Sequence, residues 1–308
     1  MLGRSTCWRD HPSTVEIQEE PAPPTARIDD RQTRDSLIAH SLVIDLDVQG
    51  NATEHLIGTD DPLRPADDGG RAIYRTIMDG DQLQVVPVRP GLDLVPAGPR
   101  TQSLADELNR VAGNRTEVIA SSFSGLRHAI HTATAGYDIV VIDTPPSEQS
   151  HGLLDCMMVV ADAVVIPTKI SKDDITGAVK LLQRLAALDR LGVDYARPLG
   201  AVLVSAPTGA SRIEARAEAD LALITRHIPL FNSRIRYRPA PISEASRRHQ
   251  TLQQIYSSLP TDAERLRGLR TRPTNAEHLT LASAAKAVQE HADLFDEIVA
   301  RFTQDAAA

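Results

Sequence analysis

Aromatic residues are scarce in this chain, at 3% of 308 residues: one Trp, five Tyr and four Phe. A core must therefore be built from Ala, Val, Ile and Leu, which suits helices packed on a parallel sheet. A base-stacking platform for single-stranded nucleic acid is disfavoured, because such surfaces need exposed rings. There are only two cysteines, Cys7 and Cys156, with no CxxC, so neither a disulfide framework nor a zinc knuckle fits. That usage points to a reducing, cytoplasmic compartment. Residues 1–40 hold no apolar run long enough for a signal peptide, and no later run approaches a membrane span. The chain reads as soluble. With 24% charged and 42% hydrophobic residues it lies far from the composition of disordered chains, and its length allows one large domain or two small ones.

The net charge of −8 argues against generic nucleic-acid binding, but the average hides a segregation. Between Arg234 and Arg272 nine arginines face three acids, so this stretch is +6 and the remainder −14.

The first forty residues, with Pro21, Pro23 and Pro24 and no sustained apolar period, read as irregular, with at most a weak strand at Thr14–Gln18 and a helical fragment at Arg31–His40. From Ser41 onward the pattern changes. Aliphatic runs at Leu42–Leu46, Val85–Val88, Leu92–Val95, Ile139–Ile142, Ala163–Pro167 and Ala201–Val204 lack alternation, as strands buried on both faces do. Ala178, Leu181, Leu182, Leu185 and Leu188 follow helical spacing, and Gly192 stands where that helix should stop. A second helix is expected over Ser211–His227, with Ile213, Ala217, Leu221 and Ile224 on one face. Strands alternating with helices predict an α/β fold with a mainly parallel sheet. Near the end, Leu281, Ala285, Val288, Ala292, Phe295, Val299 and Phe302 form a heptad stripe. A terminal helix laid on its own domain is preferred over a coiled coil at this length. Its acids, Glu290, Asp293, Asp296 and Glu297, are unlike the basic polar face of a membrane-surface helix.

Two of the strands end in aspartates: Leu42-Val43-Ile44-Asp45-Leu46-Asp47 and Ile139-Val140-Val141-Ile142-Asp143-Thr144-Pro145-Pro146. In an open parallel sheet, ligands sit beyond the carboxyl ends of strands, and a carboxylate there can hold Mg²⁺ through water. One such aspartate alone would read as a helix cap or turn residue. Two with distinctive flanks reverse that preference.

The string IDLDVQGNAT, Ile44 to Thr53, resembles the second signature of the ParA/MinD group of deviant Walker ATPases, above all the ParA plasmid and chromosome partition proteins. YDIVVIDTPPS, Tyr137 to Ser147, is similar to that family's Walker B segment. LDLVPAG (Leu92–Gly98), DAVVIPTKISKDDITGAVKLL (Asp162–Leu182) and GAVLVSAP (Gly200–Pro207) follow in the family's order, and the similarity covers residues 41–260. The resemblance implies a doubly wound α/β fold of the P-loop NTPase (SIMIBI) type, binding and hydrolysis of ATP with Mg²⁺, and nucleotide-dependent homodimers. It also implies non-specific binding to nucleoid DNA and work with a centromere-binding ParB-like partner, in the cytoplasm and away from membranes. By that resemblance Asp47 positions the attacking water, Asp45 lies near the metal, and Asp143 orders Mg²⁺ through water. Thr144 and Pro145 lie in the loop sensing the γ-phosphate side, and Pro207 lies in the adenine pocket. Arg234, Arg236, Arg238, Arg247 and Arg248 fall where the family contacts DNA; a solvated arginine-rich loop is the other reading of these residues. The division expected is an atypical segment over 1–40, a ParA-like ATPase domain over 41–260, and a basic linker with the heptad helix over 261–308.

One part of the family pattern is missing. A P-loop needs a glycine-rich turn whose N–H groups wrap the phosphates, a Lys on the phosphate oxygens and a Ser or Thr on the metal. Only Gly3 precedes Gly50, and the first lysine is Lys169. The N-terminal strand and P-loop are therefore expected to be lost or replaced. Three explanations stand: a displaced start or frame change, a pseudo-ATPase that kept its partner and DNA surfaces, or a different phosphate-binding structure at the N-terminus. Under the first two, ATP turnover is expected to be weak or absent, since phosphoryl transfer is mostly positioning and charge neutralisation. A non-catalytic scaffold binding DNA or a partition partner is the main rival. An iron–sulfur reductase component would need more cysteines than Cys156 and its dimer mate. No GxSxG elbow or HExxH recommends a hydrolase.

Overall fold

The computed structural model describes residues 39–58, 67–112, 127–145, 151–206, 222–260 and 281–304, apart from 129, 191 and 223. The expected features at Thr14–Gln18 and, up to residue 38, at Arg31–His40 lie outside the described residues, as do most of the helix over Ser211–His227 and Pro207.

The aliphatic runs become strands: β1 (Ser41–Asp45), β2 (Val86–Arg89), β3 (Leu92–Val95), β4 (Ile139–Asp143), β5 (Ala163–Thr168) and β6 (Arg197–Ala206). Between β1 and β2 lie α1 (Asn51–Ile57) and α2 (Arg71–Asp79), and α3 (Pro99–Ala112) follows β3. Helix α4 (His151–Val160) leads from β4 to β5, and α5 (Lys172–Arg190) from β5 to β6. Then come β7 (Leu230–Arg236), α6 (Pro239–Arg248), α7 (Leu252–Ser258) and α8 (Leu281–Gln304).

Hydrogen bonding divides the strands into two sheets, in the orders β2-β3-β1-β4 and β5-β6-β7. Every pair is parallel except β2 with β3, a hairpin that turns at Gly91. Both sheets turn one face into a single core. Leu42 and Ile44 of β1, Val140 and Ile142 of β4, Val164 and Ile166 of β5, and Ala201 and Leu203 of β6 all join it. Helix α4 lies in that core with Gly152–Val160 buried throughout. It crosses α3 so closely that a Cβ on Gly152 would stand 2.4 Å from the backbone of Leu108, which only glycine tolerates. On the opposite face, α1 covers β1 to β3 through Ile57, Leu56 and Val43, and α8 covers β6 and β7 through Leu294 and Ile298.

Two expectations are corrected. Arg234 and Arg236 sit on a strand, β7, which pairs with β6. Its sequence LFNSRIR interrupts the apolar run with polar residues, and the strand is held by its neighbours rather than by its own hydrophobicity. The terminal segment does form one helix packed on its own domain, but through a different stripe from the heptad. Ala284 and Ala287 are buried and Leu294 and Ile298 meet the sheet, whereas Phe295, Val299 and Phe302 are 49%, 40% and 42% exposed. Helical spacing alone places both stripes one residue apart, and contact with β7 selects between them.

Candidate functional site

The carboxyl ends of β1 and β4 lie side by side, with Asp45 in register with Asp143. Parallel pairing in register turns both side chains to the same face of the sheet, the face covered by α1. Beyond β1 the chain turns through a tight loop. Gly50 N–H donates to Asp47 O (2.8 Å), and Gly50, at φ 63°, occupies the left-handed region as the residue preceding α1.

Asp45 is fully buried. Its carboxylate accepts from Asp47 N–H (3.1 Å), Thr53 N–H (2.8 Å) and Thr53 Oγ1–H (2.7 Å). Thr53, itself buried, accepts in turn from Ala97 N–H (2.9 Å), which stands in the turn after β3. One carboxylate and one hydroxyl thus tie three loop segments together at the top of the sheet. Burial pushes the Asp45 carboxyl above its ordinary range, against the opposing pull of the Thr53 and Asp47 hydrogen bonds. Asp47 accepts from Gln49 N–H (2.9 Å), which shapes the loop. Asp143 lies at the open end of β4. Partial desolvation, then the charges of Asp45 and Asp47, hold its carboxyl high, while Thr144 N–H pulls it down. Pro145 is buried behind it and Thr144 is half-buried.

The structure therefore gathers Asp45, Asp47, Asp143, Thr144 and Pro145 at one end of one sheet. Sequence reasoning missed Thr53, which anchors the Asp45 carboxylate. Its signal was the last letter of IDLDVQGNAT, eight residues after Asp45. Among the described residues none of the three carboxylates has a Lys or Arg partner, and no group of three His, Cys, Asp or Glu side chains could hold a metal ion. The donor set fits a hydrated Mg²⁺ held through Asp143, since a cation would offset three crowded negative charges.

The arginines separate into two groups. Arg238 is clamped by Glu290 of α8, Nη2 to Oε1 at 2.7 Å, and Arg236 N–H donates to the same carboxylate at 3.1 Å. Arg247 Nη2 meets Glu244 Oε1 at 2.6 Å, and Arg248 Nε bonds the same oxygen. These hydrogen bonds, Arg247's foremost, draw the Glu244 carboxyl below its ordinary range. Arg247 remains 69% exposed, while Arg238 is only 16% exposed. Cys156 is buried in α4, and burial raises its thiol far above the reactive range. Among the described residues no helix is long and apolar enough to cross a membrane.

Comparison with known protein families matches residues 37–192 to the AAA domain family AAA_31, of ParA/MinD type. The chain belongs to this family. The matched stretch begins just ahead of β1 and ends just past α5, so it takes in Asp45, Asp47 and Asp143. The chromosome-partitioning ATPase Soj of Thermus thermophilus is 30% identical over 182 residues, covering 58% of this chain and 62% of that protein. The chain thus spans less than two thirds of that relative's length. Apo McdA of Cyanothece superposes with a TM-score of 0.57 at 18% identity, over 73% of this chain and 84% of McdA. Cobyrinic acid a,c-diamide synthase of Mycobacterium smegmatis, solved with an ATP analog and magnesium, superposes with a TM-score of 0.51 at 20% identity, over 71% and 84% of the two chains. At those identities the two structures establish the shared ParA-type α/β fold.

Proposed function

We propose that this chain acts as a ParA-like protein of plasmid or chromosome segregation whose own ATP turnover is weak or absent. The likeness to Soj supports the partition role. The observation that carries the second half is the charge of the site. Asp45, Asp47 and Asp143 converge at the strand ends, with no lysine before Lys169 and no glycine-rich turn ahead of Gly50. The domain division follows the same reading, with a ParA-like domain over 41–260 and a basic linker and helix over 261–308. Asp143 holds Mg²⁺ through water, Asp47 faces the position of an attacking water, and Asp45 holds the loop between β1 and α1 in place through Thr53. By the family resemblance Pro207 is assigned to the adenine side, and Thr144 and Pro145 to the loop on the γ-phosphate side. Non-specific nucleoid DNA, a ParB-like partner and a second copy of the chain are the associations this reading implies, in the cytoplasm.

Calorimetric titration of Mg-ATP into the 308-residue chain, with Asp143→Ala as control, tests it. The expected result is a folded chain with no turnover and little or no heat of binding. Mg²⁺-dependent hydrolysis abolished by Asp143→Ala would overturn the impaired reading and restore a working ATPase. The rival reading, a scaffold that binds DNA without nucleotide, is favoured by the exposed guanidinium of Arg247, and DNA binding that strictly requires ATP would exclude it.

A further inference from the structure

The heptad stripe of α8 is left over when that helix packs on its own domain. Ala284, Ala287, Leu294, Ile298 and Arg301 hold the helix down. The heptad line runs along another face, where Phe295, Val299 and Phe302 are 49%, 40% and 42% exposed, Ala292 is exposed, and Ala285 and Val288 are half-buried. Three of the eight large apolar side chains exposed among the described residues thus fall on one line of one helix, a concentration that ordinary surface scatter does not produce. Phe302 is steadied from one side by Arg197, whose guanidinium lies 5.5 Å from the ring centroid.

The order of sizes along the line identifies what fits it. It reads Ala285, Val288, Ala292, Phe295, Val299, Phe302. Two such lines laid parallel and in register would set Phe against Phe and Ala against Ala, giving overfilled and empty layers in turn. Laid antiparallel, Ala285 meets the partner's Phe302, Val288 the partner's Val299, and Ala292 the partner's Phe295. Every layer then holds a similar volume, large against small or medium against medium, as interdigitating helices require. All three pairings share one centre, between Asp293 and Leu294, so a single two-fold axis makes each of them twice. A line of side chains complementary to itself about one axis specifies a second copy of the same chain.

We propose that α8 joins this chain to a second copy through its outer heptad stripe, antiparallel about a two-fold axis between Asp293 and Leu294, with no nucleotide required. Charge excludes the other occupants. The stripe is bordered by Lys286, Gln289, Asp293 and Asp296, and two acids to one base repel DNA phosphates and anionic lipid. Within the pair, Gln289 stands beside the partner's Asp296, an amide donor next to a carboxylate acceptor. From Ala285 to Phe302 the stripe is about 26 Å long and about 10 Å wide, a footprint of roughly 260 Å² per copy against about 800 Å² in a stable complex. The pairing is accordingly weak and reversible. It goes beyond the partition reading and does not rest on it.

The test uses the full chain with neither nucleotide nor DNA present, so its failure leaves the partition reading untouched. Sedimentation velocity across a concentration series is expected to show a monomer–dimer equilibrium with a Kd on the order of 10–100 μM. Phe295→Gln should weaken it at least about tenfold. Ala292→Phe adds apolar surface yet should also weaken it, because Phe then meets Phe in a layer that fits Phe with Ala, and adding Phe295→Ala to that variant should restore the parent's affinity. Both positions are exposed, so all these variants should keep the parent's circular dichroism and, in dilute solution, its melting temperature. A nitroxide on Thr303→Cys, with Cys7→Ser and with Cys156 buried from the label, reads the orientation. The two labels stand about 30 Å apart in the antiparallel pair and about 10 Å apart in a parallel one. A monomer at every concentration would overturn the proposal, whether the stripe is bare or covered by another segment of the same chain. So would a dimer indifferent to Phe295→Gln, a dimer tightened by Ala292→Phe, which is unspecific apolar contact, or a label separation near the parallel value.

Discussion

Thr53 is the residue on which the local order of the site turns. Its hydroxyl donates to Asp45 and accepts from Ala97 N–H, and both partners are withdrawn from water. Thr53→Val keeps the shape and removes the hydroxyl, leaving a buried carboxylate oxygen and a buried N–H short of a partner. Each such loss costs about 1–3 kcal/mol. Urea unfolding should therefore show a marked drop in stability, while Thr53→Ser, which loses one methyl group, should cost about 1 kcal/mol. An equal loss in both variants would mean that packing, not hydrogen bonding, holds Thr53. The strand-end aspartates were legible in the sequence because a carboxylate closing an aliphatic run is conspicuous. Thr53 was not, because a threonine early in a helix is unremarkable until Asp45 is seen to reach it across eight residues.

Among the elements, α8 shows most clearly how tertiary contact overrides a sequence pattern. The heptad stripe is regular, yet the face that packs is the adjacent one, because polar anchors on that face meet β6 and β7. Arg301 Nη1 donates to Leu199 O at 3.0 Å and Nη2 to Leu230 O at 2.7 Å, with its guanidinium 4.0 Å from the Phe231 ring centroid. Glu297 accepts from the N–H groups of Asn232 and Ser233, both at 2.9 Å. Leu294→Ala should accordingly cost about 1–2 kcal/mol, below the range for fully buried leucines, while Phe295→Gln on the outer stripe should stay within about 0.5 kcal/mol. Thermal melts of the two variants check which face carries the packing.

The same anchor gives α8 a pH dependence. Burial raises the Glu297 carboxyl, but the bonds from Asn232, Ser233 and Arg301 outweigh it and bring the group from its ordinary 4.5 down to about 2. A depressed carboxyl contributes stability that is complete above its unfolded value and is lost as pH falls through its folded one. The tie between α8 and β7 should thus weaken progressively from pH 4.5 toward 2. Glu297→Gln should be less stable at neutral pH, and its melting temperature should fall less steeply across that acid window. Parallel pH profiles for the two proteins would refute this role.

For the whole molecule, charge distribution decides what the arginines can do. A count along the chain makes 234–272 a +6 block, but folding brings Glu290 from α8 onto Arg238 and places Glu244 between Arg247 and Arg248. The exposed helix-end pair is therefore the better candidate for phosphate contact than Arg238. If DNA binds, Arg247→Ala with Arg248→Ala should make the salt dependence of affinity shallower by about 1–2 in log–log slope, whereas Arg238→Ala should chiefly lower stability. Titrating each variant with duplex DNA at several salt concentrations measures both.

Sequence alone determined the α/β class, the order of β1 to β6, and the aspartates at the ends of β1 and β4. These follow from local properties: the length of aliphatic runs, the residues that punctuate them, and the residue that closes each strand. Only the tertiary structure decided that β7 is a strand, which face of α8 packs, and how Arg238, Arg247 and Arg248 are ion-paired. Each of these depends on what a distant segment brings alongside, and neither the period of a helix nor the polarity of a strand encodes its neighbour.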